Sequence, residues 1–257
     1  KIIPSGVPSM RVYIGFDDTD TDESAIGTGK LARCFEGELP GDGLLWGVVR
    51  QQLLVRDDIP YTSHNSAACL VIDLGDNGGL DEMISSAVDY LEQRACFGSD
   101  PGICVAWETA AGFSSLVEFG LACTRRKMSQ KDAIQAAGRF HLSGHGGTND
   151  GIIGAAAAVG LSSSGWCGRF IEFGRLRDYA DFVTAGTLMS RGIQVVSIDR
   201  DAKVPAPEEM VLTNRWVRPC LLSGRPVLMV RPKAEGLWEN IGEKRVKQTI
   251  SVGGSAG

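Results

Sequence analysis

The sequence predicts a mixed α/β protein, because strand-like apolar runs alternate with segments of helical spacing along most of the chain. The strongest helical signal covers residues 80–95, where apolar side chains recur at intervals of three and four. The strongest strand signals are the apolar run 66–74 and the β-branched run 193–198. We therefore predict an α/β, or α+β, architecture.

Shorter signals predict the remaining elements. Ser129 precedes Asp132 by three positions, which is the spacing of a capping box and predicts a helix start. Gly192 stands where a glycine commonly ends a helix. The other predicted helices cover 29–39, 130–140, 151–160 and 179–191. The other predicted strands cover 11–16, 44–55, 102–107 and 170–173, with a hairpin formed by 216–222 and 227–231.

A domain boundary is predicted near residues 162–165, a short stretch of serine and glycine. Residues 10–165 then form a first domain and residues 166–257 a second. The strand–helix–strand and hairpin content of the second part is typical of a ferredoxin-like or similar α+β unit. Residues 1–9 are expected to be an extension, because Met10 directly precedes the first strand.

The composition is that of an ordinary globular protein, with 43% hydrophobic and 22% charged residues. The net charge of −5 argues against binding of a long polyanion and favours a small anionic ligand carried with Mg²⁺. The seven cysteines include no C-x-x-C pair, which argues against a disulfide framework and against a zinc ribbon. The longest weakly charged stretch is too short for a membrane span, and the start has no secretory signal. We expect a cytoplasmic protein without a membrane partner.

An acidic loop directly follows the first predicted strand. Residues 17–23 hold five acidic side chains, beginning with Asp17, Asp18 and Asp20. Carboxylates this close repel one another unless a cation neutralises them. Because Mg²⁺ binds one or two carboxylates together with water and phosphate oxygens, we predict that these three aspartates bind metal and are catalytic. The competing interpretation is a solvated acidic turn whose side chains bind nearby backbone N–H groups.

Two glycine-rich turns each precede a predicted helix and could present N–H groups to phosphate. The first contains Gly27, Thr28, Gly29 and Lys30, and it is not a Walker A motif. We predict catalytic roles for Thr28 and Lys30 and phosphate binding by the two glycines. The second turn is predicted to bind the nucleotide through Gly146, Gly147, Thr148, Asn149 and Asp150. In both places a plain turn, or a helix cap, is the alternative.

Two other polar segments contain histidine. His64 and Asn65 lie in a polar segment before a predicted strand, and we expect them to face the acceptor of the reaction. His141 and His145 have the four-residue spacing of a helical metal site. Gly144 interrupts that helical spacing, which argues against zinc.

Three islands of sequence resemble the family of archaeal tRNA 2-agmatinylcytidine synthetases, TiaS. The first and most specific island covers residues 10–20, MRVYIGFDDTD. The second combines VRDDIPY at 55–61 with NSAA at 65–68, and the third is DGIIGAAAAVG at 150–160.

The resemblance implies a kinase-like, ATP-binding domain and then a ferredoxin-like domain, followed in the family by an OB-fold and a zinc ribbon that hold tRNA. It implies that Asp17, Asp18 and Asp20 bind Mg²⁺–ATP. It also implies a threonine that accepts phosphate, for which Thr28 is the nearest counterpart. Thr62 and His64 stand where the family has a basic stretch, and the chain ends near the point where the RNA-binding modules would begin. We therefore expect no agmatinylation of tRNA by this chain alone.

These observations together predict Mg²⁺–ATP-dependent transfer of a phosphoryl or nucleotidyl group to an unidentified small-molecule or RNA acceptor. Two alternatives remain. The chain could be a non-catalytic nucleotide or metal sensor, or an RNA-modifying subunit that acts with a partner. The sequence does not indicate an oligomeric state.

Overall fold

The computed structural model describes residues 10–59, 64–75, 79–109, 112–201 and 203–242. The described helices are α1 (Thr28–Cys34), α2 (Leu80–Arg94), α3 (Ser114–Cys123), α4 (Gln130–Ala137), α5 (Gly151–Ser163) and α6 (Ala185–Ser190). The described strands of the first half are β1 (Met10–Asp17), β2 (Leu44–Gln52), β3 (Ser66–Leu74), β4 (Gly102–Trp107) and β5 (His141–Gly144). Those of the second half are β6 (Arg169–Glu172), β7 (Phe182–Thr184), β8 (Gln194–Ser197), β9 (Met210–Leu212), β10 (Cys220–Leu222), β11 (Arg225–Ala234) and β12 (Leu237–Asn240). The predicted α+β class is confirmed.

One sheet connects these strands in the order β5-β4-β1-β3-β2-β6-β10-β11-β12-β9-β7, and β8 lies beside β11. Strand β1 is antiparallel to both of its neighbours, β3 and β4. The described parallel pairs are β8 with β11 and β9 with β12. The antiparallel pairing of β2 with β6 joins the two halves of the sheet. The end of β1, where the acidic loop begins, therefore lies beside the start of β3 and the start of β4.

Three apolar clusters pack on this sheet. On one face of β1 and β3, Ile14 and Leu70 belong to the cluster that includes residues of α1 and α2. On the opposite face, alternate residues of the same strands pack with α3, α4 and α5. The third cluster surrounds Phe170 in the second half and also includes Val49 of β2. Because Val49 of β2 belongs to this cluster, apolar packing joins residues on both sides of the predicted boundary at 162–165. The division into two domains stays a prediction.

Helix α5 lies directly on the sheet because its residues are small. A Cβ atom at Gly15 of β1 would overlap the carbonyl of Ala155, and one at Gly102 of β4 would overlap the backbone of Gly151. These two approaches fix the first turn of α5 beside the end of β1. Within the described ranges, no helix is both long and apolar enough to cross a bilayer.

The main departures from the sequence prediction concern short elements. Residues 179–191 were predicted as one helix, but they form β7 and then α6. The hydroxyl of Thr184 accepts a hydrogen bond from the N–H of Thr187 and caps α6. The helix therefore begins at Ala185 and not at residue 179. Helix α3 and strand β5 were not predicted. The flanking helix α4 begins at the predicted capping box of Ser129 and Asp132.

Candidate functional site

A cleft of about 160 Å³ opens where β1 ends. Five segments meet there: the acidic loop, the first turn of α1, the connection between β2 and β3, the connection between α3 and α4, and the first turn of α5. The polar side chains that line it are those of Asp17, Asp18, Asp20, Thr28, His64, Asn65, Ser66, Arg126, Lys127 and Asp150. The predicted aspartates, Thr28, and the predicted acceptor-binding pair thus share one cavity.

Two carboxylates of the acidic loop lie close to other carboxylates. Burial raises the pKa of Asp17 to about 7, and repulsion from Asp18 and Asp20 adds to the effect. Burial also raises the pKa of Asp18 to about 6, with repulsion from Asp100, Asp20 and Asp150. Asp18 has a φ angle of 51°, a left-handed conformation that turns the chain away from β1. A cation in the cleft would remove this repulsion.

The donor set suits Mg²⁺ rather than a metal that needs a complete protein cage. In the part of the chain that the structure describes, no three His, Cys, Asp or Glu side chains converge as a ready-made metal site. Mg²⁺ requires only one or two carboxylates and completes its shell with water and phosphate oxygens. Metal binding by Asp17, Asp18 and Asp20 fits these residues and stays a prediction.

Thr28 is bonded into the acidic loop. Its hydroxyl donates to Oδ1 of Asp20 at 2.8 Å and accepts from the hydroxyl of Thr19 at 3.0 Å. The backbone N–H of Thr28 donates to the same Asp20 oxygen at 3.0 Å. Asp20 therefore occupies the first N–H group of α1, which the sequence assigned to phosphate. Gly27, Gly29 and Lys30 do not line the cleft, and Gly27 and Lys30 are exposed.

The second glycine-rich turn also has an internal carboxylate partner. Asp100 accepts hydrogen bonds from the backbone N–H groups of Thr148, Asn149 and Asp150, at 2.6 to 3.2 Å. It also accepts from the hydroxyl of Thr148. Asp150 lines the cleft, whereas Gly146, Gly147, Thr148 and Asn149 do not. Nucleotide binding by this turn stays a prediction, and it requires Asp100 to release these groups.

The segment before β3 places His64 and Asn65 at the cleft, as expected for residues that face an acceptor. The Asn65 side-chain amide donates to the carbonyl of Leu54 at 2.6 Å, which fixes the end of β2 against the start of β3. The preceding residues 60–63, part of the second island of resemblance, lie outside the described residues. Acceptor binding by His64 and Asn65 stays a prediction.

Arg126 and Lys127 are cleft residues that the sequence interpretation missed. Neither was among the predicted site residues, and both are exposed side chains that line the same cavity as the aspartates. Lys127 donates to the carbonyl of Asp58 at 2.8 Å, and its ammonium lies 4.0 Å from the Asp58 carboxylate. The available signal was their position directly before the capping box of α4, because a helix start often lies at a ligand site.

His141 and His145 belong to a separate polar chain at the edge of the sheet. Both histidine Nε2 atoms contact the hydroxyl of Ser143, at 2.9 and 2.8 Å, and His145 Nδ1 contacts Glu92 of α2 at 2.8 Å. Residues 141 to 144 form a strand, so the two histidines do not share a helix. Burial lowers the pKa of His141, and the nearby His145 adds to this effect.

The sequence matches no protein-family model and no curated protein. Among solved structures, the chain is similar to the TiaS–tRNA(Ile2)–ATP complex, with 22% identity and a TM-score of 0.48. The match covers 59% of this chain and 36% of that one. Apo TiaS, a tRNAIle2 agmatidine synthetase, gives 21% identity and a TM-score of 0.47 over 58% of this chain and 35% of its own.

Part of this chain is similar in structure to TiaS. A tRNA fluorescent labelling enzyme gives 22% identity and a TM-score of 0.48, over 58% of this chain and 36% of its own length. The predicted resemblance is therefore confirmed as a resemblance. The chain spans about a third of the length of these structures, and the ATP and tRNA of the complex are ligands of TiaS.

Proposed function

We propose that the cleft at the end of β1 binds ATP together with Mg²⁺ and transfers a phosphoryl or nucleotidyl group to an acceptor. The observation that carries the proposal is the convergence of Asp17, Asp18 and Asp20 on one cleft at the end of β1. Burial, followed by repulsion from neighbouring carboxylates, raises the pKa of Asp17 to about 7 and that of Asp18 to about 6. A magnesium ion held by one or two of these three aspartates would supply charge neutralisation.

The residues opposite the aspartates suit the phosphate groups of the nucleotide. Arg126 and Lys127 present cationic donors to the same cavity, and such donors stabilise the charge that develops in phosphoryl transfer. In the two glycine-rich turns, Asp20 and Asp100 already bind backbone N–H groups. Arg126 and Lys127 are therefore the principal donors to phosphate in this proposal.

Thr28 is proposed as a phosphoryl acceptor within the chain, in line with the family resemblance. Its hydroxyl already donates to the Asp20 carboxylate. In the proposed step the Thr28 oxygen bonds to the γ-phosphorus, its proton passes to Asp20, and ADP leaves as the bond to the γ-phosphorus breaks. The final acceptor would then enter from the side of His64 and Asn65.

The test is incubation of the full chain with Mg²⁺ and ATP, followed by intact-mass measurement, nucleotide analysis and calorimetry. We expect ATP binding that weakens at least about tenfold in chelator, and a mass increase of one phosphate group that Thr28→Val abolishes. Arg126→Gln should weaken ATP binding by about tenfold, the loss of one charge-assisted hydrogen bond. Asp22→Asn, at an exposed position of the same loop, is the matched control and should behave as the native chain.

Each readout separates one part of the proposal from the others. Equal affinity for ATP with and without Mg²⁺ would contradict the metal assignment. Metal-dependent binding without a mass increase or nucleotide turnover would support the non-catalytic sensor instead. Release of AMP and pyrophosphate rather than ADP would identify cleavage at the α-phosphorus, whereas the intact mass alone decides whether Thr28 is phosphorylated.

A further inference from the structure

A second cavity, larger than the first, lies at the other end of β2. It occupies about 1190 Å³ between the start of β2, the end of α1 and the segment that follows β6. Leu53 in the aspartate cleft lies seven positions after Trp46 in this cavity, which corresponds to roughly 20 Å along an extended strand. The two cavities are therefore separate places on the molecule.

Aromatic rings form one wall of the second cavity. Trp46 packs edge to face against Phe173, with ring centroids 5.7 Å apart, and both residues line the cavity. The ring of Phe170 also packs against Trp46 and Phe173, at centroid distances of 5.2 and 5.4 Å. This packing gives the cavity a fixed apolar surface next to its charged residues.

A cluster of guanidinium groups also belongs to this part of the molecule. Arg33 and Arg177 line the cavity, and Arg218 lies near enough for both to act on its charge. Glu172 is the carboxylate among them. Its Oε2 accepts from Arg177 at 2.6 Å, while its Oε1 accepts from the backbone N–H groups of residues 173 and 176, at 3.2 Å each.

Arg33 and Arg218 are attracted by the same Glu172 carboxylate that is already bonded to Arg177. Neither forms a salt bridge with a described residue, and Arg218 donates to the carbonyl of Val217 and stacks on Trp216 at 3.9 Å. Burial lowers the pKa of Arg218 to about 10, with repulsion from Arg177 and Arg33. Burial and repulsion from Arg177 likewise lower the pKa of Arg33.

The other carboxylates around the cavity do not offset this charge. Asp73 pairs with Arg11 at 2.8 Å, and Asp178 lies 3.9 Å from Arg175. Glu36 is exposed at the rim. Partly buried guanidinium groups such as those of Arg33 and Arg218 are costly to hold near further positive charge unless an anion joins them.

We propose that this arginine groove, lined by Arg33, Arg177, Trp46 and Phe173 with Arg218 close by, is a binding site for a phosphate group. Guanidinium groups bind phosphate in forked, paired hydrogen bonds, which suits three of them around one anion. The aromatic wall would contact the organic part of a phosphate ester. Free phosphate and the backbone phosphate of an RNA strand share this chemistry, and they differ in what else they bring to the groove.

The experiment titrates the full chain in chelator, where the aspartate cleft repels phosphate, with inorganic phosphate and separately with a ten-nucleotide single-stranded RNA. Tryptophan fluorescence is the readout, and Trp46→Phe identifies the part of the signal that arises in the groove. We expect Arg33→Gln and Arg218→Gln each to weaken binding by about tenfold. Arg139→Gln, an equal charge change beside the far edge strand β5, should leave binding unchanged.

Stability distinguishes a ligand site from a structural cluster. If the arginines are held only by packing, each glutamine variant should lower the melting temperature. If they form an anion site, removing one charge relieves repulsion, so the ligand-free variant should melt no lower than the native chain. Arg33→Lys, which keeps the charge without the fork, should retain part of the binding and covers the case in which a glutamine variant fails to fold.

The two probes identify the source of the phosphate. Binding of both, weakened by the same variants and with a steep salt dependence for RNA, indicates a backbone phosphate. Binding of inorganic phosphate alone indicates a small anion. Unchanged affinity in folded Arg33→Gln and Arg218→Gln variants, or no binding of either probe, would overturn the proposal. Asp17→Asn should leave these titrations unchanged, so failure here is distinguishable from failure of the proposed ATP site.

Discussion

Asp20 and Asp100 act at the two places where the sequence suggested phosphate. Each carboxylate accepts hydrogen bonds from the N–H groups at a helix start, Asp20 from Thr28 of α1 and Asp100 from residues just before α5. A carboxylate meets the same electrostatic requirement as phosphate, because both are anions at the positive end of a helix. A glycine-rich turn before a helix therefore predicts an anion, without telling whether that anion comes from a ligand or from the protein.

Asp100→Asn should test how much this internal anion stabilises the first half of the molecule. The variant replaces a charged acceptor of several N–H groups with a neutral amide, so the free energy of unfolding should fall by about 1–2 kcal/mol in urea denaturation. It should also lower the pKa of Asp18, since the Asp100 charge is among the causes that raise it. Asp89→Asn, at an exposed position of α2, is the control. Equal stability of the two variants would show that the turn does not depend on Asp100.

The sequence located the residues of the cleft that lie close together in the chain and missed those that do not. Asp17, Asp20 and Thr28 fall within twelve consecutive positions, and their proximity follows from one strand, one loop and one helix start. Arg126 and Lys127 reach the cleft only because α3 and α4 pack on the same sheet face as α5. No local pattern encodes that packing, so a basic cluster on the surface and one in a cleft look alike in sequence.

Among the elements, α5 determines the shape of the cleft. Its backbone lies against β1 and β4 through glycine contacts, and against α3 where a Cβ at Gly160 would overlap the carbonyl of Leu116. The run of Gly and Ala in α5 permits this close packing. The missed helix α3 is apolar on much of its surface, and the missed strand β5 has only four residues. Neither has a periodicity long enough to identify.

Gly154→Ala should disable the cleft through α5. A Cβ at this position would overlap the carboxylate of Asp17, so that either the side chain or the helix must move. We expect a loss of about 1–3 kcal/mol in the free energy of unfolding and loss of Mg²⁺-dependent ATP binding. Gly37→Ala is the matched control, because a Cβ there meets no atom within 4 Å. Normal ATP binding by Gly154→Ala would show that the Asp17 carboxylate is not held where the proposal needs it.

Across the whole molecule, the sheet connects two regions with different charge. The aspartate cleft is a concentration of carboxylates in a chain of net charge −5, whereas in the arginine groove Arg33, Arg177 and Arg218 share the Glu172 carboxylate. Helix α1 spans the interval, with Thr28 at its start in the cleft and Arg33 near its end in the groove. The overall net charge that argued against polyanions averages over both regions, and it could not indicate that the positive charge is concentrated in one place.

The pH dependence of stability follows from the raised pKa values of the acidic loop. In the unfolded chain Asp17 and Asp18 lose their protons near pH 4, whereas in the folded chain they lose them near pH 7 and pH 6. Between these limits the folded state binds more protons, so the free energy of unfolding falls as pH rises. Their contribution is fully present below about pH 4 and is lost as pH passes through 6 to 7. His141, whose pKa is lowered, acts in the opposite direction in part of this range.

Comparison of the native chain with Asp17→Asn isolates the contribution of the cleft, because His141 acts equally in both. At pH 8 the metal-free variant should melt higher than the native chain, by about 2–4 °C for each kcal/mol of repulsion removed. At pH 4 the difference should vanish, since the native Asp17 is then protonated in the folded state.

Mg²⁺ should raise the melting temperature of the native chain at pH 8 and have little effect at pH 5, where the carboxylates hold protons that compete with the metal. It should not raise that of the variant at either pH. Calorimetric melting at these three pH values, with and without Mg²⁺, provides the measurement. Parallel pH profiles for the two chains would show that Asp17 is ionised and already neutralised by the protein, which would remove the reason for a cation in the cleft.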